Sequence, residues 1–294
     1  MTMQTDFYDA HVHFLWCGSF ETVRHSWQAL IDKGLTGIAG IIKVNPPPDP
    51  QKFLEFIPVS YHNQVDSSFF AEGLGAKVST AERLGDVEVF PYLDCRFIEA
   101  RDADLTGFQR TGFRGLKVLY LPEEDAGMGI VGWEKFFGRS ESESQALIVR
   151  MVDQAVSFGW PIIFHANLNE YGDFTIDILQ AHKGHPFIIP HFGFSRRIMA
   201  TFLERLDNCY SDFSSLLPFM RKDPQKYLEF ITTFQDRILF GTDATLGQPG
   251  LIAEYADFII HLIRDEETRN KIMIDNYRHF HRLLLQSSVA PQGL

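Results

Sequence analysis

Four histidines and an aspartate stand where apolar runs of this chain end. "YDAHVH" (8–13) carries His11 and His13 two residues apart, close to the N-terminus. "PIIFHAN" (161–167) leads to His165, "FIIPHFG" (187–193) to His191, and "ILFGTDA" (238–244) to Asp243. Side chains alternate across a strand, so His11 and His13 share one face. The same alternation places Phe7 and Asp9 with them and Tyr8, Ala10 and Val12 on the other side. Two histidines in one strand have an ordinary reading as satisfied core groups. Five polar groups at strand ends do not, since burying each without a partner costs about 1–3 kcal/mol. One shared cation satisfies several of them, and imidazole with carboxylate is a donor set for Zn²⁺ and its neighbours.

These residues need a frame that brings distant strand ends together. Eight short apolar runs recur: "FYDAHVHF", "GIAGIIKV", "VEVFPYLD", "GFRGLKVLYL", "PIIFHANL", "FIIPHFG", "NCYSDFS" and "ILFGTDAT". Amphipathic segments such as "ESQALIVRMVDQAVSFG" separate most of them. Strands alternating with helices imply parallel pairing through crossovers. Near-continuous apolar strands imply a sheet covered on both faces. Eight such units in 294 residues fit an α/β fold of the closed (β/α)₈ TIM-barrel type, with chemistry at the C-terminal end of the strands. His165 and His191 are 26 residues apart and His191 and Asp243 are 52 apart, about one and two strand–helix units. No linker divides the chain, so residues 1–294 read as one barrel domain. Two loops stand out as candidate covers for a site, "NPPPDP" (45–50) and "LPEEDAGMGIVGWEKFFGRS" (121–140).

Composition narrows the function. A hydrophobic share of 45% with 22% charged residues is that of a protein with a sizeable core. The net charge of −11 argues against nucleic-acid or anionic-membrane partners. The three cysteines are scattered, which suggests a reducing compartment and no disulfide framework. With no signal-peptide pattern and no apolar run of membrane-spanning length, a cytoplasmic protein is expected.

"DAHVH", "FHAN", "PHFG" and "LFGTDA", in this order, resemble the amidohydrolase superfamily of metal-dependent barrels. They look most like its amidohydrolase-2 branch, in which aminocarboxymuconate-semialdehyde and resorcylate decarboxylases stand beside lactone and ester hydrolases. The resemblance runs from Asp6 to "IDNYRHFH" (274–281), which is similar to that branch's closing helix. It implies that His11, His13, His165 and Asp243 hold one divalent ion, Zn²⁺ first, with Mn²⁺, Co²⁺ or Fe²⁺ as alternatives. It implies further that His191 and Asp243 are catalytic. Bound Zn²⁺ can bring the pKa of its water to about 7. Asp243 can take up that water's proton, and His191 can orient the water or stabilise oxyanion charge.

The remaining candidates concern the substrate. Lys117 in "GFRGLKVLYL" should point into the barrel with Phe113 and Gly115, and a buried lysine needs a partner. The choices are an acidic neighbour, a substrate carboxylate, or carboxylation to bridge two metals as in some amidohydrolases. Phe14, Trp16, Tyr120, Phe192 and Phe194, with Arg96, Arg196 and Arg197, should form a pocket rim suited to a ring-containing or otherwise apolar acid. Cys17 and Cys95 read as packing residues, and the other histidines as exposed or capping groups. "EEDAGMG" is not spaced like a calcium loop.

The first functional reading is therefore hydrolysis of a lactone, ester or amide bond in a small carboxylic acid, open-chain or cyclic. The second is non-oxidative decarboxylation of an aromatic or muconate-type acid on the same metal site. The third is a non-catalytic metal-containing barrel. A small-molecule substrate is the expected partner, and a homo-oligomer is compatible with such barrels, although no residue pattern marks an interface.

Overall fold

The computed structural model describes residues 6–14, 20–65, 83–84 and 86–287. Eight strands build one parallel ring: β1 (Phe7–Phe14), β2 (Leu35–Lys43), β3 (Val87–Asp94), β4 (Gly115–Leu119), β5 (Ile162–His165), β6 (Phe187–Ile189), β7 (Cys209–Asp212) and β8 (Ile238–Leu239). Each pairs in parallel with the next. The ring closes through a break in the eighth strand. Beyond Leu239 the chain moves over to β1, where Ala244 and Thr245 pair with Val12 and His13. Ala10 N–H donates to Phe240 O and Asp243 N–H to His11 O across the same seam, at 2.8 and 2.9 Å. The fold is the (β/α)₈ barrel that the alternating pattern predicts. A two-residue antiparallel piece, Arg83–Leu84, lies off the ring beside β3.

The crossover helices start on recognisable signals. Ser140 and Glu143 form a capping box before Glu141–Ser157. Asn167 and Ser195 accept first-turn N–H groups of Leu168–Ala181 and Arg196–Arg205. Trp27, Ile148, Met151, Leu179 and Leu203 carry the helix layer onto the outer faces of the strands, where Ile38, Ile42, Leu116 and Val118 meet them.

β1 breaks the simple alternation. Asp9 stands opposite Ile38 and Val12 opposite Gly40, so β1 holds one residue more than β2 over that interval. This bulge reverses which side chains face inward below it. His11 and His13 do share the barrel interior. Phe7 belongs to the outer core, however, and Tyr8 and Ala10 belong to the inner one, opposite to strict alternation. Asp9 serves the seam instead of the histidines' face. Its carboxylate accepts from His11 N–H (3.0 Å), Thr242 N–H (3.1 Å) and Thr242 Oγ1 (2.6 Å), covering backbone groups that the bulge frees. Burial pushes its pKa up to about 7. Phe113 likewise packs outside, while Lys117 points in. Gly115 is needed inside, because a Cβ there would lie 2.6 Å from the Tyr92 ring.

The barrel's N-terminal end is sealed with apolar and aromatic groups. Ala39, Ile41, Phe90, Tyr92, Ile163, Ile188, Tyr210 and Leu239 line it, and Tyr277 and Phe280 from Asn276–Ser287 plug it. Tyr277 stacks on Tyr8 with centroids 4.6 Å apart. His281 sits in this plug, buried, as His185 is elsewhere in the helix layer. Both differ from the exposed or capping role that their sequence context suggests, because each finds carbonyl or hydroxyl partners inside. No helix among the described residues is long and apolar enough to cross a membrane.

Candidate metal centre

Every strand-end residue singled out above meets at the C-terminal mouth of the barrel. His11 and His13 come from β1, His165 ends β5, His191 follows β6, and Asp243 lies in the break of the eighth strand. Ring centroids are 5.2 Å apart for His11–His13, 5.3 Å for His11–His191 and 4.9 Å for His165–His191. One donor atom each of His11, His191 and Asp243 falls within 4.8 Å of the others. Asp243 Oδ1 is 2.9 Å from His13 Nε2 and 3.3 Å from His11 Nε2.

The backbone is strained where it presents these groups. The described non-glycine residues with left-handed φ are Asn45, His191, Phe192, Phe194, Ser215 and Asp243. All follow strand ends at this mouth. Each such residue costs about 1–3 kcal/mol, and a fold keeps that strain chiefly where function needs the geometry. His191 to Phe194 form a short left-handed turn that carries His191 into the centre and Phe194 to the entrance. Gly193 completes it at φ 57°, and a Cβ there would collide with Leu168 at 2.3 Å.

The end of β7 orients two imidazoles at once. Asp212 Oδ2 accepts from His11 Nδ1 at 3.1 Å, and Ser214 O accepts from His191 Nδ1 at 2.8 Å. Asp212 Oδ1 is itself held by the N–H groups of His191 and Ser214 and by the Ser214 hydroxyl. Both histidines are thus protonated on Nδ1 and turn the Nε2 lone pair inward, the tautomer that a ligand needs. Lys117 Nζ donates to the His11 lone pair at 3.1 Å. His13 is arranged the other way. Its Nε2–H donates to Asp243, and its Nδ1 accepts from Lys43 Nζ at 3.4 Å.

Electrostatics follows from burial. Burial, with Lys117 nearby, lowers His11 and His165, and burial with Lys43 lowers His13, so these imidazoles are neutral. Burial alone would raise Asp243, but His11, His13 and His191 outweigh it and hold the carboxyl well below its ordinary range. Burial brings Lys117 down to about 8 and, with Arg96 beside it, Lys43 to about 7. Asp94 sits behind these cations, accepting from Arg96 Nε at 3.0 and 2.9 Å and facing Lys43 Nζ at 3.4 Å. His11 and His191, with Nε2 turned inward beside the ionised Asp243, are a donor set that fits a divalent cation.

The amidohydrolase family model matches residues 8–282. The chain belongs to the amidohydrolase family. It is an enzyme of the metal-dependent hydrolase type. Among solved structures, an uncharacterised TIM-barrel protein of Bordetella bronchiseptica is 13% identical, with a TM-score of 0.57 over 95% of this chain and 99% of its own. A lactonase of Listeria monocytogenes is 11% identical, with a TM-score of 0.57 over 93% of each chain. The phosphotriesterase homology protein of Escherichia coli is 12% identical, with a TM-score of 0.56 over 95% and 99%. Likeness at these identities carries the fold alone. No curated protein sequence matches significantly.

In this amidohydrolase the strand ends open into a cavity of about 310 Å³ lined by His13, His165, His191 and Asp243, by Lys43, Arg96 and Lys117, and by apolar groups. Of the two loops marked in the sequence, 121–140 contributes Met128 and Ile130. No residue of 45–50 lines the cavity; Pro58 and Tyr61 come from the segment beyond the helix that follows it. Tyr61 Oη donates to Asp243 O and Oδ2, at 2.9 and 3.2 Å, and Ser215 Oγ to Oδ2 at 2.5 Å.

Several expected rim residues lie elsewhere. Arg196 stacks on Tyr227 at 4.0 Å and does not reach this cavity. Tyr120 lines an adjacent, acidic cavity, bonding Glu141 and Gln145 at 2.8 Å each. Phe14 and Phe192 are buried in the outer core, leaving Phe194 at the entrance. Trp16 and Cys17 lie outside the described residues. Cys95 is buried and its thiol is pushed up to about 12 by burial, which suits packing.

Asp212, Lys43, Asp94 and Tyr61 are the residues that sequence reading missed. Asp212, within the quoted run "NCYSDFS", ends β7, and Lys43, within "GIAGIIKV", ends β2, in the same strand-end position that singled out His165. Tyr61 carries no such signal.

Proposed function

We propose that this enzyme hydrolyses a lactone, ester or amide bond in a small carboxylic acid, with one divalent cation at the barrel mouth. The observation that carries the reading is a single cavity holding both the imidazole–carboxylate cluster and three buried cations, Lys43, Arg96 and Lys117. His11, His165 and Asp243 would hold the ion, Zn²⁺ first among the candidates, with His13 joining them once Nε2 gives up its proton, and with His191 close enough to compete as a ligand. When bound, the cation would polarise the scissile carbonyl and acidify a water molecule. Asp243, ionised and fixed by Tyr61 and Ser215, accepts a proton from the attacking water and passes it to the leaving group. His191, anchored through Nδ1, aims Nε2 at the reacting centre and orients that water. Arg96 and Lys43 face the cavity, where a substrate carboxylate would join Asp94 and Asp243 as their counter-charge. A cytoplasmic setting is in keeping with the buried free Cys95 and Cys209.

A panel of lactones, esters and amides of small acids tests this, run against neutral analogues with metal-replete protein. Turnover should favour the acids and stop on chelation. Release of CO₂ from aromatic or muconate-type acids, with no hydrolysis in the panel, would replace the hydrolase by a decarboxylase on the same residues.

A further inference from the structure

Among the described residues four large hydrophobic side chains are exposed, and three of them gather at one place. Phe194 is 42% exposed, Phe219 59% and Val59 59%. Phe194 and Phe219 both line the catalytic cavity, together with Leu216, Met128 and Ile130. Val59 flanks it, donating its N–H to Met128 O at 3.2 Å. The Phe194 ring spans from the histidines to solvent, with centroids 5.3 Å from His165 and 5.6 Å from His191. Its backbone is held left-handed at φ 64°, so the ring is set at the entrance against the local preference of the chain. The cations Lys43, Arg96 and Lys117 are buried at the inner end of the same cavity. Polarity is therefore graded along one path, charged inside and apolar at the opening. A ligand that the inner cations hold, if long enough to leave the cavity, passes over Phe194 and Phe219.

We propose that the mouth is a subsite for the apolar tail of an amphipathic acid derivative, whose anionic end lies inward and whose alkyl or aryl portion rests on Phe194, Phe219 and Val59. This rests on the reading above for the nature of the bond cleaved, but not for the subsite itself. A tail leaving the cavity between two exposed phenyl rings buries apolar surface on both partners, and affinity should rise with its length.

The test is calorimetric binding of unreactive straight-chain carboxylates, from butanoate to decanoate below their aggregation concentrations, to the metal-replete protein. Affinity should rise about two- to fourfold per methylene once the chain reaches the mouth, fourfold being full burial. F219A should flatten that rise while keeping butanoate affinity within about twofold, and F194A should flatten it too, with circular dichroism confirming the fold. The two substitutions are at exposed positions and F219A lies outside the histidine cluster, so it stands alone if F194A fails to fold. A wild-type series without length dependence would overturn the proposal, as would the same slope in F219A, or a concentration-dependent dimer that F219A abolishes. Hydrolysis of a parallel ester series separates the two claims. Length-dependent binding without any hydrolysis removes the hydrolase reading and leaves the subsite standing, and hydrolysis insensitive to tail length does the reverse.

Discussion

At the N-terminal end of the barrel, His281 is buried with both ring nitrogens engaged. Its Nδ1–H donates to Tyr277 O at 2.8 Å, and its Nε2 accepts from Tyr92 Oη at 2.9 Å. At the C-terminal end, His11 and His191 are buried as deeply, and each has its Nδ1 engaged in the same manner by the end of β7. Their Nε2 lone pairs turn instead toward a shared centre that also holds Asp243. The first arrangement completes every hydrogen bond from within the fold. The second turns Nε2 to groups gathered at the cavity, Lys117 and Asp243 at His11 and the open cavity at His191, where the backbone of His191 and Asp243 is strained. Burial of a histidine alone does not distinguish the two. The direction of its last nitrogen does.

The contrast predicts opposite signatures for mutation. Asp243→Asn preserves shape while removing the charge that His11, His13 and His191 surround. Turnover should fall by about 10²–10⁴-fold, metal content should drop, and the melting temperature should fall only modestly, since a carboxyl held below its ordinary range stabilises the fold while ionised. Steady-state kinetics, elemental analysis and a thermal melt on one preparation check this. A large loss of stability without loss of metal would mean that the mouth is built like the opposite end.

His165→Ala and His191→Ala sharpen the mouth further. If His165 is a ligand and His191 orients water, the first should lose metal and activity together. The second should keep most of its metal and lose mainly kcat, again by about 10²-fold or more. His191 is the residue within 4.8 Å of the donor atoms of His11 and Asp243, so equal metal loss in both variants would make it a ligand. Tyr61→Phe should act more gently. It removes one of two hydroxyl donors to Asp243 Oδ2 while Ser215 retains the other. A fall of about tenfold in kcat/KM is expected, the scale of one hydrogen bond to a charged group, and an unchanged value would separate Tyr61 from the centre.

Much of the mouth was legible because strand ends are conspicuous: His165, His191 and Asp243 each follow an apolar run, and Lys117 obeys simple alternation. The eight strands were legible for the same reason. β1 was only half legible. A bulge adds one residue without any local composition signal, and its backbone groups are satisfied by Asp9 reaching across to Thr242, a contact between residues more than two hundred positions apart. Arg196 and Tyr120 were misplaced because position after a strand end does not determine direction. Tyr227 and Glu141, the partners that draw them away, come from neighbouring helices. His281 looked like a surface helix residue because the pattern shows no sign that its helix plugs the barrel.

That plug yields the smallest effect and the cleanest contrast. Burial lowers His281 to about 4 in the folded protein, from an ordinary 6.5. Between those values the unfolded chain binds a proton that the folded chain refuses. The contribution to stability is therefore complete above pH 6.5 and is lost as pH falls toward 4. For this one group the loss between pH 7 and pH 5 is about 2 kcal/mol. His11, His13 and His165 are shifted in the same direction, so the wild-type slope alone does not isolate it. The difference between wild type and His281→Gln does. Denaturant melts should show the variant less stable at pH 7, with its pH dependence flatter by about that amount, and kcat/KM at pH 7 should stay within about twofold because His281 stands at the far end of the barrel from the histidines that face the cavity. Loss of activity at unchanged stability would show that the two ends are coupled, and that the N-terminal plug does more than close the core.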